Sequence, residues 1–331
     1  MHLLKGILAS LSIGITTIAV CAVLFLWWLQ LAFSGAKKKQ QIRQRMDRII
    51  VWWTSSNRWM LNTLRLVEPE VHWHGRAHLS PEKWYLVTSN HQSWADIVLL
   101  QTYLLDDIPP LKFFTKSQLI WLPFIGQAMY VLGFPYVKRV NRAQIKNNPE
   151  LRNADRDNVF SACEGFKNHP TSILNFAEGT RRTDEKHERQ GSQFEHLLKP
   201  KIGGITYILQ GMDSHIDGLV DVTIVYPDEV PTFWELLKGK CGRVILDIRY
   251  RTLEPLDTQG DEIRFKSSVA QWVNSVWEEK DAWYKLNYDK KMSGTKKLYD
   301  QMDKHFGKPI GGKWMNVSII HDNDEEYQEP L

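Results

Sequence analysis

From Ile7 to Phe33 the chain carries no charged residue. As a helix this run would be about 40 Å long, against roughly 30 Å of bilayer hydrocarbon. It can cross with tilt, or break near Gly14 or Thr16-Thr17 into a shallow hairpin. Trp27 and Trp28 suit a membrane interface, and Lys37-Lys38-Lys39, Arg43, Arg45 and Arg48 follow at once. Such a cluster keeps the side that follows in the cytoplasm and favours anionic headgroups. The competing reading is a cleaved signal peptide, against which stand the long apolar core and the bulky aromatics where small residues are needed. Next, Ile49 to Leu64 interleaves Trp52, Trp53, Trp59 and Met60 with Asn57 and Arg58. This is the pattern of an interfacial amphipathic helix, and a core helix of the following domain would read the same way.

Beyond residue 67 the period changes. Val71-His72-Trp73-His74-Gly75 reads as a strand and turn, and Trp84 to Ser89 as a buried parallel strand. Ala95 to Leu104 reads as a helix with Ser93 as its N-cap. Phe113 to Thr115 is a brief strand, Ser117 to Tyr130 a helix interrupted by Pro123 and Gly126, and Phe134 to Val137 another strand. Ala143 to Lys167 places Val159, Phe160, Ala162, Cys163 and Phe166 on one helical face, ended by Asn168-His169-Pro170. Strands follow at Ser172–Phe176, Val220–Tyr226 and Val244–Tyr250, and a helix at Asp261–Tyr284 carries Trp272 and Trp277 on one side. Alternation of this kind predicts an α/β fold, a mainly parallel sheet flanked by helices. The boundaries expected are an anchor with basic linker at 1–48, the interfacial helix at 49–66, a main domain at 67–290 and a polar tail at 291–331, poorly ordered from about Ser293.

Composition adds little. A net charge of +4 over 331 residues is too small to suggest nucleic acid. Cys21, Cys163 and Cys241 have no metal-ligand or disulfide spacing, so no metal site follows and a reducing compartment is expected. Fourteen tryptophans, concentrated towards the N-terminus, favour contact with a bilayer.

The chemistry begins at Asn90-His91-Gln92-Ser93-Trp94-Ala95-Asp96. His91 falls in a strand-to-helix turn, at the carboxyl edge where α/β sheets place ligands. Asp96, in the first helical turn, is within reach of its imidazole. A carboxylate on one ring nitrogen stabilises the imidazolium and leaves the other nitrogen to take a proton. Alone this spacing is weak, and a helix-capping histidine is the plainer reading. Downstream stand Gly133-Phe134-Pro135-Tyr136-Val137-Lys138-Arg139 and Phe176-Ala177-Glu178-Gly179-Thr180-Arg181, with Lys116-Ser117-Gln118-Leu119, Pro123 and Gly126 between. Taken together and in this order, the blocks resemble those of the glycerolipid acyltransferase family, N-H-x4-D, G-x-x-[FY]-[IV]-x-R and F-x-E-G-T-R, over roughly Val71 to Tyr250. The nearest likeness is to its 1-acylglycerol-3-phosphate and lysocardiolipin-type members.

The resemblance implies a membrane-bound enzyme that moves a fatty acyl chain from acyl-CoA or acyl-carrier protein to a lysophospholipid, most simply 1-acyl-sn-glycerol 3-phosphate, without a cofactor. It makes His91 the general base, Asp96 its orienting partner and Arg139 a ligand of the acceptor phosphate. Arg is suited to that task because its planar fork gives two parallel charge-assisted bonds. Gly133 would keep the turn before that strand open. Glu178, Gly179, Thr180 and Arg181 would shape the acceptor pocket, although a Glu178–Arg181 pair that only holds the loop fits equally. Lys116 is a phosphate or phosphopantetheine contact or a solvated charge. No Gly-x-Ser-x-Gly elbow occurs, so direct transfer is simpler than an acyl-enzyme. The proline-marked fourth block fits poorly around Val225-Tyr226-Pro227, and no role follows for it. A lysophosphatidylglycerol or lysocardiolipin acceptor, or a non-catalytic lipid-binding protein, are the alternatives. If the source is bacterial, the expected location is the inner membrane with the catalytic domain on the cytoplasmic side.

Overall fold

The computed structural model describes residues 1–137, 154–253, 256 and 261–306. Arg139, its neighbours Lys138 and Arg142, and the tail beyond Phe306 lie outside the described residues, as does the side chain of Lys116.

Helix α1 (His2–Ala32) runs unbroken through Gly14 and Thr16-Thr17. The Thr16 hydroxyl donates back to the Ser12 carbonyl at 2.8 Å, so that side chain satisfies itself inside the helix. The chain reverses only at Phe33–Gly35, and α2 (Ala36–Thr63) carries the basic cluster and the Trp-rich segment as one continuous helix. Val20 and Leu24 of α1 pack with Ile42, Met46 and Ile49 of α2. The opposite face of α1 stays exposed and apolar along its whole length, from Leu4, Leu8 and Leu11 through Ile15 and Ile18 to Phe25, Leu26 and Phe33.

The main body is a six-stranded sheet in the order β1-β8-β7-β2-β6-β3. Its strands are β1 (Glu68–His74), β2 (Tyr85–Ser89), β3 (Leu111–Phe113), β6 (Ser172–Asn175), β7 (Gly218–Val225) and β8 (Arg243–Arg251). Neighbours pair in parallel except β7 with β8, so β1 and β8 run against the other four and the sheet is mainly parallel. A small parallel pair, β4 (Thr115–Lys116) with β5 (Tyr136–Val137), stands apart. Between these strands lie α3 (Ala95–Leu104), α4 (Ile125–Val131), α5 (Ala154–Phe166), α6 (Asp184–Gln190), α7 (Ile202–Met212), α8 (Phe233–Leu237) and α9 (Glu262–Phe306). Helix α9 extends well past Tyr284, so residues 293–306 are helical where a poorly ordered tail was expected.

Because side chains alternate along a strand, each strand feeds two cores. Tyr85, Val87, Val220, Val222, Ile224, Val244 and Leu246 face α3, α8 and the near ends of α1 and α2. Leu86, Leu219, Val225 and Ile245 face α5, α7 and α9, where Trp277 is fully buried. A polar seam crosses that second core: Lys280 of α9 reaches Asp221 at 2.7 Å and the Val222 carbonyl at 2.7 Å.

The first turn of α1 is docked on this body. Gly6 packs so closely on Trp234 of α8 that a β-carbon there would lie 2.8 Å from the indole. His2 Nδ1 meets the Lys238 carbonyl at 2.9 Å, and Lys5 Nζ donates to the Arg65 carbonyl at 3.1 Å. The start of α1 is therefore held both on α8 and on the end of α2.

Candidate active site

Where β2 ends, its main chain leaves the sheet and the Asn90 side chain takes over the pairing. Asn90 Nδ2 donates to the Ile224 carbonyl and its Oδ1 accepts from the Ile224 amide, both at 2.8 Å. This amide fork satisfies two buried backbone groups of β7 and ties the turn to that strand. The turn is pinned again by Ser93, whose hydroxyl donates to the Pro231 carbonyl and accepts from the Ala95 amide at 3.1 Å. The N-cap position of α3 is Trp94 rather than the expected Ser93, which lies two residues before Ala95 and still takes that residue's amide on its hydroxyl.

Asp96 is fully buried in the first turn of α3. Its Oδ2 accepts from His91 Nδ1 at 2.9 Å and from the Gln92 and Ser93 amides at 2.7 and 2.9 Å. Its Oδ1 accepts from the Tyr226 hydroxyl at 2.5 Å. The dyad is thereby oriented: Nδ1 is engaged, and Nε2 has no hydrogen-bond partner among the described residues. The imidazole lies flat on Phe176, ring centroids 4.0 Å apart and planes 16° from parallel. With 13 % of its side chain exposed, His91 is screened but reachable. A histidine held in this way can take a proton on Nε2 while the carboxylate balances the charge.

Phe176 also begins the second loop, which leaves β6 beside β2. The Arg182 amide donates to the His91 carbonyl at 2.7 Å, stitching the two turns together. Gly179 adopts φ +68°, a left-handed conformation, and its missing β-carbon leaves room for Lys201, whose Cδ and Nζ would lie 3.1 Å away. Lys186 donates to Thr180 Oγ1 and to the Arg181 carbonyl, each at 2.9 Å. Arg181 stacks over the Trp94 indole, 5.2 Å from the ring centre, and forms no ion pair among the described residues. Glu178 is fully buried, and its carboxyl oxygens make no hydrogen bond of good geometry. Burial pushes its pKa well above the usual carboxylate range; the Leu198 and His91 amides favour the charged form too weakly to offset that. The Glu178–Arg181 pair that could have held the loop is thus absent: Glu178 is buried, whereas Arg181 is exposed over Trp94.

The structure therefore brings His91, Asp96, Glu178, Gly179, Thr180 and Arg181 to one sheet edge. Gly133 follows α4 with φ +75°, the open turn expected before the strand that leads to Arg139. Sequence reasoning missed Tyr226, the Phe176 platform, the Asn90 fork and the contact of Trp94 with Arg181. It also missed Tyr284 of α9, whose hydroxyl accepts from Gln92 Nε2 at 2.9 Å. Most of these join residues from separate strands, so spacing along the chain carried no signal. Asn90 and Trp94 sit inside the first block, and their polarity and size were the available hints.

Residues 70–226 match the Acyltransferase family model. The mouse 1-acyl-sn-glycerol-3-phosphate acyltransferase gamma is 28 % identical over 182 residues, 52 % of this chain and 44 % of that protein. The mouse epsilon form is 25 % identical over 215 residues, 58 % of this chain and 55 % of its own. The chain thus spans about half the length of the curated relatives it matches. Among solved structures, the 1-acyl-sn-glycerophosphate acyltransferase PlsC of Thermotoga maritima aligns over 84 % of this chain and 98 % of its own, at 18 % identity and a TM-score of 0.48.

Proposed function

From a chain whose residues 70–226 form a domain of the glycerolipid acyltransferase family, we propose that this protein transfers a fatty acyl group from acyl-CoA or acyl-carrier protein to the free hydroxyl of a lysophospholipid. The acceptor we assign is 1-acyl-sn-glycerol 3-phosphate, in keeping with the names of its relatives. The observation that carries the reading is the oriented dyad: His91 Nδ1 is held by Asp96 at 2.9 Å, and Nε2 has no hydrogen-bond partner among the described residues.

In the reaction, Nε2 accepts the hydroxyl proton as the acceptor oxygen attacks the thioester carbonyl carbon. Asp96 stabilises the imidazolium so formed. When the tetrahedral adduct collapses, the new ester remains, the carbon–sulfur bond breaks, and Nε2–H returns the proton to the leaving thiolate. One proton is taken and given back, so no cofactor and no acyl-enzyme are needed. Arg181, which forms no ion pair among the described residues and lies over Trp94, presents its guanidinium to the acceptor phosphate. Arg139 and Lys116 serve the same anionic group or the donor.

The exposed apolar face of α1 and the basic start of α2 support seating on an anionic membrane, with the catalytic edge held at the headgroups on the cytoplasmic side. The test is transfer by the purified full chain across a panel of lysophosphatidate, lysophosphatidylglycerol and lysocardiolipin with both donors, read by lipid mass. His91→Ala should lose about 10²- to 10⁴-fold of the rate on the preferred acceptor. Turnover close to wild type in that variant would sink the proposed chemistry, and lipid binding without transfer by the wild type would establish a binding protein instead.

A further inference from the structure

We propose that Tyr226, which follows β7, is a positioning residue of the catalytic dyad: its hydroxyl holds the Asp96 carboxylate in the plane that His91 requires. The inference rests on the reading of His91 and Asp96 as base and partner.

The geometry is asymmetric. Among the described residues Asp96 Oδ2 receives three donors, His91 Nδ1 and the Gln92 and Ser93 amides, whereas Oδ1 receives only the Tyr226 hydroxyl, at 2.5 Å. Without that bond Oδ1 would be a buried acceptor with no partner, and the carboxylate would be free to turn about its own axis. A turn moves Oδ2 off the imidazole. Short O–H···O⁻ bonds of this length are the charge-assisted kind. The phenol itself is deeply buried and its ring packs in the core with Tyr85, Val222 and Ile224. Phenylalanine would fill that space equally well, so packing does not call for a hydroxyl. Among the described residues the hydroxyl's one hydrogen bond is to the carboxylate that orients His91. Burial and the neighbouring Asp96 charge push its pKa far up, so it remains a donor wherever the enzyme works.

The placement has a structural cause. Asn90 clamps Ile224 at the end of β7, two residues before Tyr226, and does so from the turn that carries His91. One fork thus sets the distance between the strand that supplies the phenol and the turn that supplies the base. The bond spans 130 residues of sequence.

The experiment compares Tyr226→Phe, Asp96→Asn and the double variant in the full-length protein, with kcat and both KM values measured on lysophosphatidate. Tyr226→Phe should lower kcat about ten- to a hundredfold, the worth of a hydrogen bond to a charged group, while both KM values stay within about twofold. In the Asp96→Asn background the same change should cost less than about twofold, because the two groups act as a unit. A purely structural role would instead lower thermal stability and leave kcat per folded enzyme, or multiply through the double variant; either result overturns the proposal. If Tyr226→Phe does not fold, fluorinated tyrosines at position 226 keep the ring and grade the donor. A kcat that follows phenol acidity supports the assignment, and a flat series overturns it. Wild-type rates in Asp96→Asn alone would overturn the dyad itself, a failure distinct from that of Tyr226.

Discussion

Glu178 is a residue whose protonation the fold decides. It is buried without a good hydrogen bond, and its raised pKa follows from desolvation first. The consequence for stability has a definite sign. Below the ordinary glutamate range, near 4.5, folded and unfolded chains both carry the proton. As pH rises, the unfolded chain ionises while buried Glu178 does not, so its contribution to stability falls until the folded pKa is passed. Glu178→Gln should therefore melt with wild type near pH 4 and progressively above it towards pH 8, by a few degrees if roughly 1 kcal/mol is recovered. Parallel melting curves at all pH values would show that Glu178 ionises freely. His91 and Asp96 were legible at this scale because their partnership is local, a turn and the first helical residue after it. Glu178 was legible as a member of its block but not in its environment, since burial is a property of what packs above the loop.

Among the elements, the join between β2 and β7 matters most for the site. Asn90 replaces two main-chain hydrogen bonds where the β2 backbone departs. Asn90→Ala would leave the Ile224 N–H and C=O buried without partners, at about 1–3 kcal/mol for each group. The expected outcome is a loss of roughly 2–5 kcal/mol in chemical denaturation, with kcat falling in whatever fraction remains folded, because Tyr226 and His91 then lose their common reference. Stability within about 0.5 kcal/mol of wild type would mean that water or a shifted β7 satisfies both groups. The strands themselves were predicted close to where they occur, since period-2 apolar runs are encoded by neighbours. Their order was not. The α8 connection turns the chain at the edge where β7 ends and brings β8 back antiparallel beside it, with β1 pairing parallel to β8, and no local pattern records that.

At the scale of the whole molecule, α1 works between two surroundings. One face is committed to protein, through Gly6, Ala9, Val20 and Leu24, while the other is apolar and bare. A charge on the bare face should therefore weaken membrane seating without unfolding the body. Ile18, 55 % exposed, is the position to use. Ile18→Lys should reduce co-flotation with anionic vesicles, since a charge in hydrocarbon costs about 2.5–3.5 kcal/mol at a helix centre. Its melting temperature and its activity on detergent-dispersed acceptor should match wild type. Undiminished flotation would place the bare face away from lipid. Because the first turn of α1 is docked on α8, removal of the helix as a whole would expose core as well as abolish seating, and so is the less discriminating change.

What the amino-acid sequence determined alone was whatever depends on near neighbours: the apolar helix, the strand and helix periods, the His91–Asp96 spacing and the three blocks that resemble those of acyltransferases. Tertiary structure decided which distant groups complete the site. Tyr226 reaches Asp96 only because β7 lies beside β2, and Arg181 meets Trp94 only because β6 lies on the other side of β2. It also decided which side of α1 is protein and which is bare, a distinction that a helix apolar all round cannot carry in its own pattern. The physical reason is the same in each case. Local spacing is written in short-range sterics and hydrogen bonding, whereas strand order and burial are settled by how the elements share the two cores.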